Sequence, residues 1–226
     1  MKRARLLRVS LYVVSVLAGL TLFVGFLHTK AGRPLLAHLG VGCPMKASPE
    51  DVEAARLNSA RTQRGAEAAA SRPALGFALD SMTLADVKAW VDKHDLNCDE
   101  LRTGLMRCSD VPATAFGDQE TGPNVDQLDF GFAPASQRLV NISAWRHGLS
   151  GDAAAAQMSS IVSAMHKQLG APTREAGDRT ADYLASGPMH TAIVEYRFKD
   201  YIADVSATNV PGRGLLLREH YMSARD

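Results

Sequence analysis

Three cysteines and seven histidines are the residues of this 226-residue chain best suited to chemistry. Cys98 and Cys108 flank Asp99-Glu100-Leu101-Arg102-Thr103-Gly104, where a hairpin would bring two strands together. A disulfide there would close a loop of about ten residues and stabilise by about 2–3 kcal/mol on the chain-entropy account. A lone Cys-x9-Cys without a second pair lacks the spacing of a zinc site. Cys43 is left over, either reduced or bridging to another molecule. The histidines are His28, His38, His94, His147, His166, His190 and His220, and no His-Glu-x-x-His pattern occurs among them. His94 and His166 fall on polar helix positions and read as solvated. Ser150, within His147-Gly148-Leu149-Ser150-Gly151, reads as a helix cap, because the Gly-x-Ser-x-Gly elbow of a serine nucleophile is absent. Asp99 and Glu100 are adjacent, so on a strand they face opposite sides and cannot flank one substrate bond. Gly212-Arg213-Gly214 lacks the Lys-Ser/Thr ending of a phosphate loop, and Asn141-Ile142-Ser143 matches a glycosylation acceptor inside an expected strand. The sequence therefore nominates no catalytic, cofactor-binding or metal residue. It nominates one disulfide.

The elements around these residues follow from periodicity. Thr83 and Asp86 have capping-box spacing before the apolar face of Leu84, Val87, Trp90 and Val91. A second helix opens at Ser150 or Asp152. It carries Met158, Ile161, Val162, Met165 and Leu169 at the 3.6-residue period and closes at Gly170-Ala171-Pro172. Strands are expected at Leu96–Glu100, Leu105–Cys108, Leu128–Phe132 and Leu139–Trp145 after the first helix. After the second they are expected near Asp182–Ala185, His190–Phe198, Tyr201–Thr208 and Gly214–Tyr221, with turns at Lys199-Asp200 and Pro211-Gly212. This order predicts an α+β fold of antiparallel meanders with helices on one face, built as two approximate repeats over 76–147 and 150–226. Most aromatic residues read as core. On an uncovered sheet face, some would form a partner-binding patch.

Upstream, Val9–Leu27 is an uncharged apolar run of 19 residues, which spans roughly 28 Å as a helix, close to a bilayer core. Lys2, Arg3, Arg5 and Arg8 precede it, which predicts a cytoplasmic tail at 1–8, a single-pass cell-membrane anchor at 9–27 and an exported remainder, periplasmic or extracellular. The competing reading is a cleaved signal peptide, for which Thr29-Lys30-Ala31 is a poor site. Residues 28–75 read as a juxtamembrane spacer. It contains a polar helix at about 49–70, opened by Ser48-Pro49-Glu50-Asp51, that is either a solvated stalk or lies lightly on the folded part. The folded domain is then expected over 76–226.

At 46% hydrophobic and 22% charged residues, the composition is that of a globular protein and excludes wholesale disorder. Six of the 25 Lys+Arg lie in residues 1–33, which leaves 19 against 24 Asp+Glu and a remainder near −5. A net-acidic body without a basic cluster argues against nucleic acid as a partner.

Met82-Thr83-Leu84-Ala85-Asp86-Val87, Leu169-Gly170-Ala171-Pro172 and Phe130-Gly131-Phe132 together resemble the BamE/SmpA-like and beta-lactamase-inhibitor-like bacterial envelope domains. Asp80-Ser81 stands where those domains usually carry a glycine before the Met-Thr pair. The resemblance implies a small envelope scaffold or interaction domain, and fold-level likeness does not establish function. The sequence thus favours a non-enzymatic, single-span envelope protein whose exported domain binds another envelope protein or a lipid. The alternative is an exported hydrolase or transferase with a site assembled from sequence-distant residues.

Overall fold

The computed structural model describes residues 48–102, 104–119 and 122–225. The expected tail, the apolar run Val9–Leu27, the first part of the spacer and Cys43 lie outside the described residues. Among the described residues, no helix is long and apolar enough to cross a membrane.

The chain enters through helix α1 (Pro49–Gln63), opened by a capping box in which Ser48 Oγ accepts from Asp51 N and Asp51 Oδ2 accepts from Ser48 N, both at 3.1 Å. The helix ends at Gln63, short of the expected residue 70. Gly65 explains the early stop: a Cβ there would stand 2.2 Å from the Arg197 carbonyl oxygen, so the backbone is pressed against the strand end. Of the two readings left open for this helix, the structure shows the docked one. Ala60 is buried with Ile202, Met222 and Ala224, and Arg56 Nη1 donates to the Ser223 carbonyl at 2.8 Å. Residues 65–75 then pass around a strand turn, where Ala69 N donates to Asp200 Oδ1 at 2.9 Å and the Tyr201 hydroxyl donates to the Pro73 carbonyl. The folded unit therefore begins at Ser48, not near Leu75.

Helix α2 (Leu84–Lys93) follows, with the expected Thr83/Asp86 capping box, and then β1 (Asn97–Arg102), β2 (Leu105–Val111), β3 (Val125–Phe132) and β4 (Leu139–Leu149). Helix α3 (Gly151–Leu169) leads into β5 (Arg174–Ala176), α4 (Ala181–Ala185), β6 (Thr191–Arg197), β7 (Tyr201–Val210) and β8 (Gly214–Ser223). All eight strands form one antiparallel sheet in the order β1-β2-β3-β4-β8-β7-β6-β5. Two meanders thus meet at β4 and β8, and the order runs β4 to β1 on one side of that seam and β8 to β5 on the other. The α+β class and the antiparallel meanders are as expected.

One local expectation fails. Asp182–Ala185 is not a strand but part of α4, because Thr180 caps it by accepting from Tyr183 N at 3.4 Å and Leu184 anchors the turn in the core. The short strand β5 and the 3₁₀ segment Ala113–Gln119 carry no periodicity from which they could be read.

The sheet has two unlike faces. One carries Leu128, Phe130, Ile142, Ala144, Tyr196, Ala203, Val205 and Leu217, alternating along their strands and all at most 1% exposed. Val87 and Val91 of α2, and Met158, Ile161, Val162, Met165 and Leu169 of α3, pack into the same cluster. Phe77 bridges α2 to the sheet, with its ring 4.9 Å from Trp90 and 5.0 Å from Phe130. Helix α1 sits on the other face, since Ile202 and Met222 alternate with core residues. The expectation of all helices on one face is corrected to that extent.

Cys98 and Cys108 are directly opposed across β1 and β2 and form a disulfide, with their Cα atoms 3.9 Å apart. That is closer than the roughly 4.4–6.8 Å usual for a bridge. Gly104 makes the hairpin turn at φ +79°, where a Cβ would stand 2.8 Å from the Phe132 carbonyl oxygen.

Candidate functional site

Helix α1 lies over the Ile202/Met222 end of the second face, and Ser143 and Asp204 farther along it are also buried, at 8% exposure each. The strand register sets what the remainder presents. Asp99 opposes Arg107, Arg107 opposes Asp129, and Asp129 opposes Ser143. Across the seam, Ser143 opposes His220, His220 opposes Asp204, Asp204 opposes Glu195, and Glu195 opposes Arg174. A single polar row therefore crosses all eight strands. A neighbouring row sets Ser206, Arg218, Trp145 and Gln127 side by side.

On the β5–β8 half of this face, the charges converge on Asp204, whose side chain is 11% exposed. His220 Nδ1 lies 3.0 Å from Asp204 Oδ2, Arg218 Nη1 lies 3.5 Å from its Oδ1, and Arg197 Nη1 stands 4.0 Å away. Burial pushes the Asp204 carboxyl up, but the His220 hydrogen bond and the charges of His220, Arg218 and Arg197 outweigh it and hold the group below the usual carboxylate range. Arg197 also donates to Glu195 at 2.8 Å.

The β1–β4 half carries one bidentate pair. Arg107 Nε and Nη2 donate to Asp129 at 2.7 and 3.0 Å, and Gln127 Nε2 donates to Asp129 at 2.9 Å. The Asp129 hydrogen bond raises the Arg107 guanidinium above its ordinary value against a smaller opposing effect of burial. Trp145 sits in the middle of the face, with the Arg218 guanidinium 5.1 Å over its ring. Trp145 Nε1, Asn141 Oδ1, Arg218 Nε and Arg197 Nη1 are buried atoms without a hydrogen-bond partner. Three are donors and one is an acceptor, all on this face.

Ser143, His220 and Asp204 have the residue types of a nucleophile triad. No hydrogen bond joins Ser143 to His220 among the described residues, and Ser143 is only 8% exposed. The surrounding strand N–H groups are committed to the ladder, so they cannot serve as an oxyanion hole. The three residues read as part of the polar row. Among the described residues, no group of three His, Cys, Asp or Glu could hold a metal ion.

The structure places the other sequence candidates in local roles. Ser150 caps α3 by accepting from Ala153 N at 3.2 Å. His94 Nδ1 lies 2.8 Å from the Trp90 carbonyl, His166 is exposed on α3, and His190 stacks on Tyr183 at 4.7 Å. Asp99 and Glu100 diverge as expected, Asp99 opposite Arg107 and Glu100 ion-paired to Lys88 of α2. Of the described aromatic residues, only Trp145 belongs to the candidate face. Sequence reading did not single out Asp204 or Arg218, and it named His220 only as one of the seven histidines. The available signal was that Asp204, Arg218 and His220 alternate with the buried residues Ala203, Val205, Leu217 and Tyr221.

No protein-family model matches the chain, and no curated protein or solved structure shows significant similarity to it.

Proposed function

We propose that this chain is a single-span envelope protein, anchored by Val9–Leu27 with residues 1–8 in the cytoplasm, whose exported unit binds another envelope component through its sheet face between α1 and Trp145. The carrying observation is the make-up of that face, where an aromatic ring and an ion cluster centred on Asp204 occupy the middle of an eight-stranded sheet. The apolar run and its preceding cations support the topology, and the Cys98–Cys108 bridge fits an oxidising compartment. The mirrored strand order about β4 and β8 supports reading 76–147 and 150–226 as two repeats of helix plus meander. The likeness to BamE/SmpA-like and beta-lactamase-inhibitor-like domains rests on the three short motifs already quoted. It adds the expectation of a scaffold rather than an enzyme.

The sheet edges argue for the face as the docking surface. At one edge, β1 is blunted by the charges of Asp99 and Glu100 and by a register shift at Leu101; at the other, β5 is only three residues long. Neither edge offers a long flat strand for a partner to extend.

A photo-crosslinker at position 145 in the full chain, activated in native membranes, should capture a discrete partner. The same group at exposed Met189 should not. Equal capture at both positions would reject the face. A reporter fused after Asp226 should be active only in its export-dependent form, and alkaline carbonate should leave the protein in the membrane pellet. A reporter active only in the cytoplasm would reject the topology, and release with a new amino terminus near residue 32 would mean a cleaved signal.

A further inference from the structure

We infer that helix α1 is a releasable strap, which leaves the sheet as a unit by pivoting between Arg64 and Gly65 while residues 65–80 stay fastened. The opening follows from how α1 is held. The reach it would give the folded unit rests on the proposed anchor.

A helix of 15 residues is marginal in water and depends on burying an apolar face. Ala60 is the one buried residue of α1, Leu57 is half-buried, and Val52 is 39% exposed. Helix α3, by contrast, buries Met158, Ile161, Val162, Met165 and Leu169. Arg56 Nη1 adds its bond to the Ser223 carbonyl. Arg61 and Arg64 are engaged as well, Arg61 from an exposed position where a polar contact competes with water. Other contacts hold α1 to itself, not to the sheet: the Ser48/Asp51 capping box and the Glu53–Arg56 pair at 2.7 Å.

The attachment changes character at the end of the helix. Arg64 is its C-cap, with extended backbone at ψ 146°. From there the chain is pinned: Gly65 lies against the Arg197 carbonyl, and Lys199 N donates to the Glu67 carbonyl at 2.6 Å. Ala69 N donates to Asp200 Oδ1, the Tyr201 hydroxyl donates to the Pro73 carbonyl, and Arg72 pairs with Asp80. Ala74, Leu75, Phe77 and Leu79 are all buried. Weak attachment therefore ends at Arg64 and firm attachment begins at Gly65, which places the hinge between them. Release uncovers Ile202, Met222 and Ala224 at the end of the polar row. With Val9–Leu27 in a membrane, it also adds up to about 22 Å of reach, at 1.5 Å per helical residue.

Amide hydrogen exchange in the detergent-solubilised full chain reads the opening directly. The α1 amides should exchange about 10²–10³-fold faster than those of β7 and β8, because they open locally and not with the whole fold. Arg56→Ala should speed α1 exchange about tenfold further, the loss of one charge-assisted hydrogen bond, and leave β7 and β8 unchanged. Thiol labelling gives a second reading. In a Cys43→Ser chain, Arg56→Ala should raise maleimide labelling of Met222→Cys about tenfold, whereas Ala203→Cys on the core face should label no faster. If Met222→Cys does not fold, Ala224→Cys supplies the thiol under α1. Exchange of α1 in step with β7 and β8 would overturn the proposal. So would an Arg56→Ala chain in which all three speed up together. If α1 opens alone but carbonate extraction releases the protein, the strap stands and the added reach falls with the anchor.

Discussion

Two ion clusters lie on opposite faces of the same strands, and they live under different rules. On the helix-covered face, Arg146 Nη1 donates to Glu219 Oε1 and the Tyr221 hydroxyl donates to Glu219 Oε2, both at 2.5 Å. The Arg146 and Glu219 side chains are each 1% exposed, and Arg146 Nε also reaches the Pro123 carbonyl at 3.2 Å. On the other face, Asp204 collects His220, Arg218 and Arg197 at longer distances, and Arg218 remains 31% exposed. The first cluster is sealed from solvent and ties β4 to β8 at the seam between the meanders. The second lies nearer solvent, with Arg218 its most exposed member. Burial, not residue type, separates a structural charge from a candidate binding charge.

Breaking the sealed cluster should have the largest effect. Glu219→Ala removes the buried carboxylate to which Arg146 and Tyr221 donate, and breaking a buried ion pair costs about 3–5 kcal/mol. Urea unfolding should show a midpoint far below wild type, whereas Arg146→Met with Glu219→Leu should recover much of the loss. A single variant with near-native stability would erase the distinction between the clusters.

The bridge on the outer hairpin comes next. Replacing Cys98 and Cys108 with serine should cost about 2–3 kcal/mol and lower the melting temperature without preventing folding, since α3 and the seam are untouched. An unchanged melting temperature would mean that the bridge adds nothing to the β1–β2 pairing.

The open cluster should reveal itself through pH. The Asp204 carboxyl is held below its ordinary value, so its contribution to stability is fully present above the unfolded pKa of about 4 and is lost as pH falls through the lower folded value. Asp204→Asn should therefore be less stable than wild type at neutral pH, and the two curves should converge as pH drops through the lowered folded value. Asp200, held low by the Ala69 N–H and Arg225 against the upward push of burial, has the same sign. Asp200→Asn thus serves as a control outside the face. Parallel curves for Asp204→Asn and wild type would show that His220 and the two arginines do not act on this carboxylate.

Much of this fold was legible in the chain because its signals are local. The Thr83 and Ser150 caps, the period of α3, the Gly104 turn and the alternation in β3 each need only a short window of residues. What stayed hidden depends on register. Nothing in the spacing of Ser143, Asp204 and His220 says that β4, β8 and β7 set them side by side, because that follows from which strands meet at the seam. Helix α1 was obscure for a different reason. Its single buried residue, Ala60, makes no stripe, yet a small side chain is what lets the helix approach Ile202 and Met222 closely. The short turn of α4 was misread because Tyr183 and Leu184 suit a strand, and the Thr180 cap decided otherwise.

The smallest effect on stability should carry the largest effect on function. Phe130 and Trp145 lie on neighbouring strands but on opposite faces. Phe130 is 0% exposed, and Phe130→Ala should cost about 3–5 kcal/mol through lost burial and a cavity. Trp145 is only partly buried and stands outside the core clusters. Trp145→Ala forfeits the stacking of Arg218, worth about 0.5–1 kcal/mol at a site of this exposure, and opens no cavity in the core. The variant should therefore unfold within about 1 kcal/mol of wild type and still export, insert and form the Cys98–Cys108 bridge. Yet crosslinking from a neighbouring position on the face, such as Gln127, should lose the partner captured by the wild-type chain. A Trp145→Ala protein that keeps its partner, or one as unstable as Phe130→Ala, would show that the two faces do not divide their work between recognition and folding.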